Sequence, residues 1–333
     1  MGFQAIRAGL GRNAGGAERG AGGMRQMNLF GETVQDQMNP KSHAISIFHD
    51  ESGDYGHGDW VLTGLFWINQ NQIQELNYEL KLIRDTENYN GKIHFKKFPK
   101  YFGGEYGSKA RIAKEWFNMW NRKWSKKTWF NVVAVNRKHH NYDHKRFTRD
   151  FHAYNRFVAI AIKSGLSWFF KGYTKLDLSM YSDGKSRRPK GLIPDGSNSD
   201  NFEEYLVRKI CSNGESYHGP KVALNNSVNC IISPSKGKFD PYQEILQFTD
   251  LLIGSVSEAI APKSDKETKK WFAVNMAKIM KDLRQAPWEQ KYDLHKKFSI
   301  SYFPDDSAKF YNDGPIGIYY QMPEFQSKII NES

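Results

Sequence analysis

Between residues 44 and 68 the chain reads AISIFHDESGDYGHGDWVLTGLFWI: two apolar runs of strand length, Ala44 to His49 and Trp60 to Ile68, joined by a short Gly- and Asp-rich segment. So short a connection leaves the two runs little choice but to pair as an antiparallel hairpin, because a parallel return needs a crossover of a dozen residues or more. The first run reads as a buried strand, yet it exits into Asp50-Glu51-Ser52-Gly53-Asp54. Three acids within five positions at the end of a core strand require an explanation.

Further strand-like runs lie at 128–136 (TWFNVVAVN), 175–182 (KLDLSMYS) and 226–232 (NSVNCII). Helical periodicity covers 70–85, 108–124, 147–165, 199–212, 241–261 and a stretch near 267–284. Strands that alternate with helices imply crossovers and parallel neighbours. The expected fold is therefore α/β: a mixed sheet, an antiparallel hairpin then parallel strands, flanked by helices over residues 43–262. Residues 263–333 read as a helical or irregular appendage. Residues 1–42 begin MGFQAIRAGLGRNAGGAERGAGG, rich in Gly, Ala and Arg without periodicity, and are expected to be a disordered tail. Met24, Met27 and Met38 stand within it as candidate alternative starts.

A formal net charge of +12 and a pI near 9.4 favour polyanionic partners, nucleic acid ahead of an anionic membrane surface. Cys211 and Cys230 are too few for a disulfide framework or a zinc ribbon. No apolar run approaches the roughly 20 residues of a membrane span, and no apolar signal region opens the chain. A soluble cytoplasmic protein is the expectation.

Acids at other element ends match the first cluster. Asp183 closes the strand LDLSMYS, and Asp250 sits inside the apolar helix QEILQFTDLLIGSVSEAI. A carboxylate flanked by Phe248, Leu251, Leu252 and Ile253 is costly to bury unless something pairs with it. Strand C-termini of an open α/β sheet converge on one edge, where Asp50 and Asp183 would meet with the helix carrying Asp250 above them. Three carboxylates from separated segments suit Mg²⁺ or Mn²⁺, and a pair of such ions is the usual device for phosphodiester cleavage. The competing reading makes Asp50 and Asp183 turn residues, as Asp183-Gly184 suggests, with Asp250 facing solvent.

HDESGDYG, MYSDG and SPSKGKFDPYQEILQFTDLLIG together resemble the bacterial family catalogued as domain of unknown function 3800, over roughly residues 44–262. The resemblance implies an RNase H-like fold. It also implies that Asp50, Asp183 and Asp250 are the metal-binding acids, with Glu51 a candidate fourth catalytic acid. Ser52 and Gly53 would shape the turn, and Gln247 would lie one helical turn before Asp250 on the same face. Family members often carry Glu where this chain has Lys92, in GKIHFKKF. The resulting expectation is a divalent-metal-dependent nuclease acting on RNA, DNA or a hybrid. Its alternatives are a non-catalytic nucleic-acid-binding or interaction module of the same fold, and a phosphatase or nucleotidase using the same acids.

Lys92, His94, Lys96, Arg187 and Arg188 are the candidate contacts to a nucleic-acid backbone. Two basic loops, 136–150 (NRKHHNYDHKRFTRD) and 183–200, stand beside the ordinary alternative of a solvated surface. His139, His140 and His144 lack Cys partners for zinc and read as part of the first loop. Trp116, Trp120 and Trp124 form a helical stripe that reads as core. In the tail, QMNLF resembles the pentapeptide with which bacterial replication and repair proteins dock on the DNA sliding clamp. Gln26 would hydrogen-bond in one subsite while Leu29 and Phe30 fill an apolar pocket.

Overall fold

The computed structural model describes residues 43–53, 58–147, 150–170, 173–183, 202–211, 221–224, 229–231, 241–285 and 297–304. Among these, seven strands form one sheet: β1 (His43–Ser52), β2 (Trp60–Asn69), β3 (Trp129–Asn136), β4 (Lys175–Asp183), β5 (Lys221–Leu224), β6 (Asn229–Ile231) and β7 (Phe298–Phe303). The order is β5-β4-β1-β2-β3-β7, with β6 also on β4. The helices are α1 (Ile73–Thr86), α2 (Ser108–Arg122), α3 (Asp150–Phe169), α4 (Phe202–Cys211), α5 (Pro241–Ile260) and α6 (Glu267–Gln285). All of them belong to a contact unit spanning 42–333. The residues expected as an appendage thus contribute a helix to one face of the sheet and a strand to its edge.

Strand directions follow from how many helices separate each pair. A helix carries the chain along the sheet once. Two helices, α1 and α2, stand between β2 and β3, so the chain returns to the edge it left, and β3 runs antiparallel to β2. The sequence reading, which made all later strands parallel to their neighbours, misses this excursion. A single long helix, α3, separates β3 from β4, and β4 duly runs parallel to β1; β5 and β6 continue parallel to β4. The result is a mixed sheet flanked by helices.

Both faces are covered. Ile45, Ile47, Leu65, Val133, Leu176 and Leu178 pack with α3 and α4, while Phe48, Leu62, Phe66, Phe130 and Ile300 pack under α1, α2, α5 and α6. That burial on two sides is why the strands read as nearly continuous apolar runs. Trp116, Trp120 and Trp124 are in the core, as the stripe implied. Gly64 of β2 lets α5 settle on the sheet, since a Cβ there would overlap the Ile253 side chain. Gly64 is also the register partner of Asp50, so the same close approach brings α5 over the strand that carries the acidic cluster.

Candidate active site

Asp50 is the eighth residue of β1, at its exit end. The β1–β4 ladder pairs His49 with Ser182. One step further along that parallel register, residue 183 stands beside Asp50, with strands about 4.8 Å apart. By alternation, positions 50 and 183 share the face of Phe48 and Tyr181, whose rings stack at 5.1 Å beneath α5. Tyr242 of α5 completes the stack, 4.3 Å from Tyr181. The side chain of Asp183 lies outside the described residues. The turn after the acids needs Gly53: its φ is +97°, and a Cβ would strike the Trp60 carbonyl.

Asp50 and Glu51 diverge, as neighbours on a strand must. Asp50 Oδ1 accepts from the Glu51 backbone N–H at 2.8 Å. Glu51 belongs to the opposite face, where its Oε2 is 4.0 Å from His49 Nε2 and its side chain is only 6% exposed. His49 in turn bonds Ser182 Oγ at 2.8 Å and packs edge-on against Tyr154.

Asp250 is mostly buried on α5, and its burial is compensated. Oδ2 accepts from the Phe95 backbone N–H at 2.7 Å and from His94 Nδ1 at 2.9 Å. Against a carboxylate Nδ1 is the donor, which leaves Nε2 free of that bond. Among the described residues no donor is bonded to Oδ1. His94, expected to meet a phosphate, is therefore joined to the acid itself; Lys92 and Lys96 flank it on the exposed side.

Asp250 is the last of three polar side chains at helical spacing that tie the 89–95 segment to α5. Glu244 forms a buried ion pair with Arg84, Nη2 to Oε2 at 2.8 Å, and Arg84 Nη1 donates to the Tyr89 and Gly91 carbonyls. Gln247 Oε1 accepts from the Ile93 N–H at 2.6 Å and from Arg84 Nη2 at 3.4 Å. Burial pushes the Glu244 carboxyl above its ordinary value, and Arg84 opposes this. Sequence reasoning missed Arg84 and Glu244. The signal was present in the i, i+3, i+6 polar stripe Glu244-Gln247-Asp250 across an otherwise apolar helix.

Among the described residues no group of three or more His, Cys, Asp or Glu is arranged to hold a metal ion; with the Asp183 side chain outside them, the expected trio is not represented. Arg187, Arg188 and the tail residues Gln26, Leu29 and Phe30 also lie outside. In the loop after β3, His139 and His140 stack at 4.4 Å beside Arg137, Lys138 and His144, at the sheet edge where β1 ends. Asp59 there is paired with Lys138 at 2.9 Å. Among the described residues no helix is long and apolar enough to cross a membrane.

No family model matches the sequence, and no curated protein does. Among solved structures the chain is similar to ribonuclease H2 from Pyrococcus horikoshii OT3, at 13% identity and a TM-score of 0.31, over 86% of this chain and 98% of that one. At that score the likeness carries no conclusion about activity.

Proposed function

We propose that this protein, a relative of the family of unknown function that its motifs resemble, is a divalent-metal-dependent nuclease hydrolysing phosphodiester bonds in RNA, DNA or a hybrid. Asp50, Asp183 and Asp250 are the proposed ligands of Mg²⁺ or Mn²⁺. The observation that supports it best is convergence: residues 50 and 183 each follow the last register pair of adjacent parallel strands, His49 and Ser182, and the helix bearing Asp250 packs on β1. The donor set fits the group, because hard carboxylate oxygens suit these cations and Asp250 Oδ1 carries no competing hydrogen bond among the described residues. When bound, such ions supply Lewis-acid polarisation of a phosphoryl oxygen and neutralise developing charge.

The chain's own contribution is positioning. The Phe95 N–H and His94 hold one oxygen of Asp250 and so orient the other. His94, with Nδ1 committed to Asp250, keeps Nε2 to hold or accept a proton. Glu51, on the far side of β1, acts in this reading by holding the strand end through His49 and Ser182. Lys92, Lys96, Arg187 and Arg188 contact the nucleic-acid backbone, and the Gln26-Leu29-Phe30 tail motif docks on a bacterial sliding clamp.

The test combines cleavage of labelled single- and double-stranded RNA and DNA in Mg²⁺ or Mn²⁺ with calorimetric titration of Mn²⁺. Asp50→Asn and Asp250→Asn should abolish cleavage and Mn²⁺ heat while melting within a few degrees of wild type. Retention of full metal-dependent cleavage by both variants would remove the catalytic assignment. A second reading, a non-catalytic nucleic-acid-binding module, is favoured by one observation: the Phe95 N–H and His94 already account for the burial of Asp250. It predicts wild-type nucleic-acid binding with no Mn²⁺ heat at all.

A further inference from the structure

The segment just after His94 is clamped between α5 and the start of α6. Lys266 Nζ donates to the Phe98 carbonyl at 2.7 Å, the Thr268 N–H to the Lys100 carbonyl at 3.3 Å, and Thr268 Oγ1 to the Pro99 carbonyl at 2.5 Å. Phe95 and Phe98 face Phe272 of α6, and Lys269 Nζ lies 5.1 Å above the Phe95 ring. This clamp turns Lys96, Lys97 and Lys100 outward, immediately beside the Asp250–Phe95 hydrogen bond.

Lys109, in the first turn of α2, joins the same group. Its ammonium is held below the usual lysine value, by partial burial first and then by Lys266 and Lys97. Lys269 is lowered likewise by burial, against the opposing pull of Glu258, with Lys266 and Lys96 adding to the effect and Asp250 opposing it. Several cations elsewhere are matched: Lys123 with Glu75 and Glu79, Lys127 with Glu75, Lys138 with Asp59, Arg111 with Glu87. None of Lys96, Lys97, Lys109 and Lys269 is salt-bridged to a carboxylate among the described residues. Like charges gathered with little counter-charge repel one another, and a polyanion relieves that cost while releasing its own counterions.

Two aromatic rings stand in the same stretch. Tyr101, next to Lys100, is 55% exposed, and Tyr106, three residues before Lys109, is 86% exposed. Rings this open contribute nothing to the core. Exposed rings among phosphate-binding lysines suit bases that are not already stacked in a duplex.

We infer that Lys96, Lys97, Lys109 and Lys269, with Tyr101 and Tyr106 as stacking rings, form a track for single-stranded nucleic acid that leads to Asp250. The inference rests on the nucleic-acid reading above and specifies the strandedness of the ligand and the surface that takes it.

The experiment is fluorescence anisotropy of full-length protein with a short labelled oligonucleotide, single-stranded or annealed, in EDTA across a salt series. Without metal, binding is read apart from cleavage. Wild type should prefer the single strand. Lys97→Gln/Lys109→Gln should reduce the slope of log K against log salt by roughly 1–2 units. Tyr101→Ala/Tyr106→Ala should weaken the single strand on the order of tenfold, with the slope kept and the duplex barely affected. Tight binding by wild type with both double variants unchanged would overturn the track and leave the nuclease reading standing, as would equal loss of single strand and duplex in the tyrosine variant. No binding of either oligonucleotide by wild type would remove both.

Discussion

At the residue scale, the burial argument that singled out Asp250 proved half complete. A carboxylate among Phe248, Leu251 and Leu252 does need a partner, and the chain supplies one in the Phe95 N–H and His94. That arrangement is as compatible with orienting a ligand as with tying down a loop, and Asp250→Asn separates the two because an amide oxygen still accepts from Phe95. Glu244 and Arg84 pose a sharper test. Removing one member of a buried pair leaves an uncompensated charge, so Arg84→Met should cost about 3–5 kcal/mol in urea unfolding, and Arg84→Met/Glu244→Met should recover much of it. A single variant that costs under about 1 kcal/mol would mean the pair is not sequestered. The pH dependence has a definite sign. Because the Glu244 carboxyl titrates above its ordinary value in the folded state, the folded protein holds that proton longer than the unfolded chain. Its contribution is present below the unfolded value and lost as pH rises through the folded one. The stability advantage of wild type over Glu244→Gln should therefore shrink from acid toward neutral pH; growth over that range would show the shift to be downward.

At the element scale, the contact of α5 with β2 sets where the candidate site forms. Gly64→Ala pushes its new methyl into Ile253, a β-branched side chain with little rotamer freedom. Overpacking of this kind costs about 1–3 kcal/mol, and Ile253→Ala in the same chain should return part of it, a coupling readable in a double-mutant cycle. If the two effects simply add, α5 does not bear on the sheet at that point. The helix also anchors the 89–95 segment. Gln247→Ala leaves the Ile93 N–H without its acceptor, at about 1–3 kcal/mol, and should speed amide exchange at residues 91–95 before the core strands respond. Uniform exchange across the chain would instead place that segment in the same cooperative unit as the sheet.

At the scale of the whole molecule, two basic groups of the described residues stand near the candidate site. The lysine group beside Asp250 and the basic loop after β3 both lie near the exits of β1 and β3, which is where a polyanion would be steered. The proposed clamp docking of Gln26, Leu29 and Phe30 would add a second mode of recruitment. A peptide covering residues 22–36 should bind purified sliding clamp with micromolar affinity in calorimetry. Equal heat from a Leu29→Ala/Phe30→Ala peptide, or none from the wild type at high micromolar clamp, would remove that docking.

Local pattern alone determined a good deal of this protein. The apolar runs and their Gly-rich joint set β1 and β2 as a hairpin, the 3.6-residue periodicity set the six helices of the described residues within a few residues, and the tryptophan stripe declared itself core. These are properties of a residue and its near neighbours along the chain. Asp50 at a strand exit and Asp250 within an apolar helix stood out for the same reason. Only the tertiary structure decided the rest, because it depends on which distant segments meet. The direction of β3 was settled by two helices returning to one edge. The β7 run, Phe298–Phe303, alternates apolar and polar residues like a strand, a signal the sequence analysis passed over, but only the tertiary structure places it at the sheet edge beside β3. Glu51 was separated from Asp50 by the alternation of a strand whose two faces are both buried. Arg84, some 160 residues before Glu244, became its partner only when α1 packed against α5.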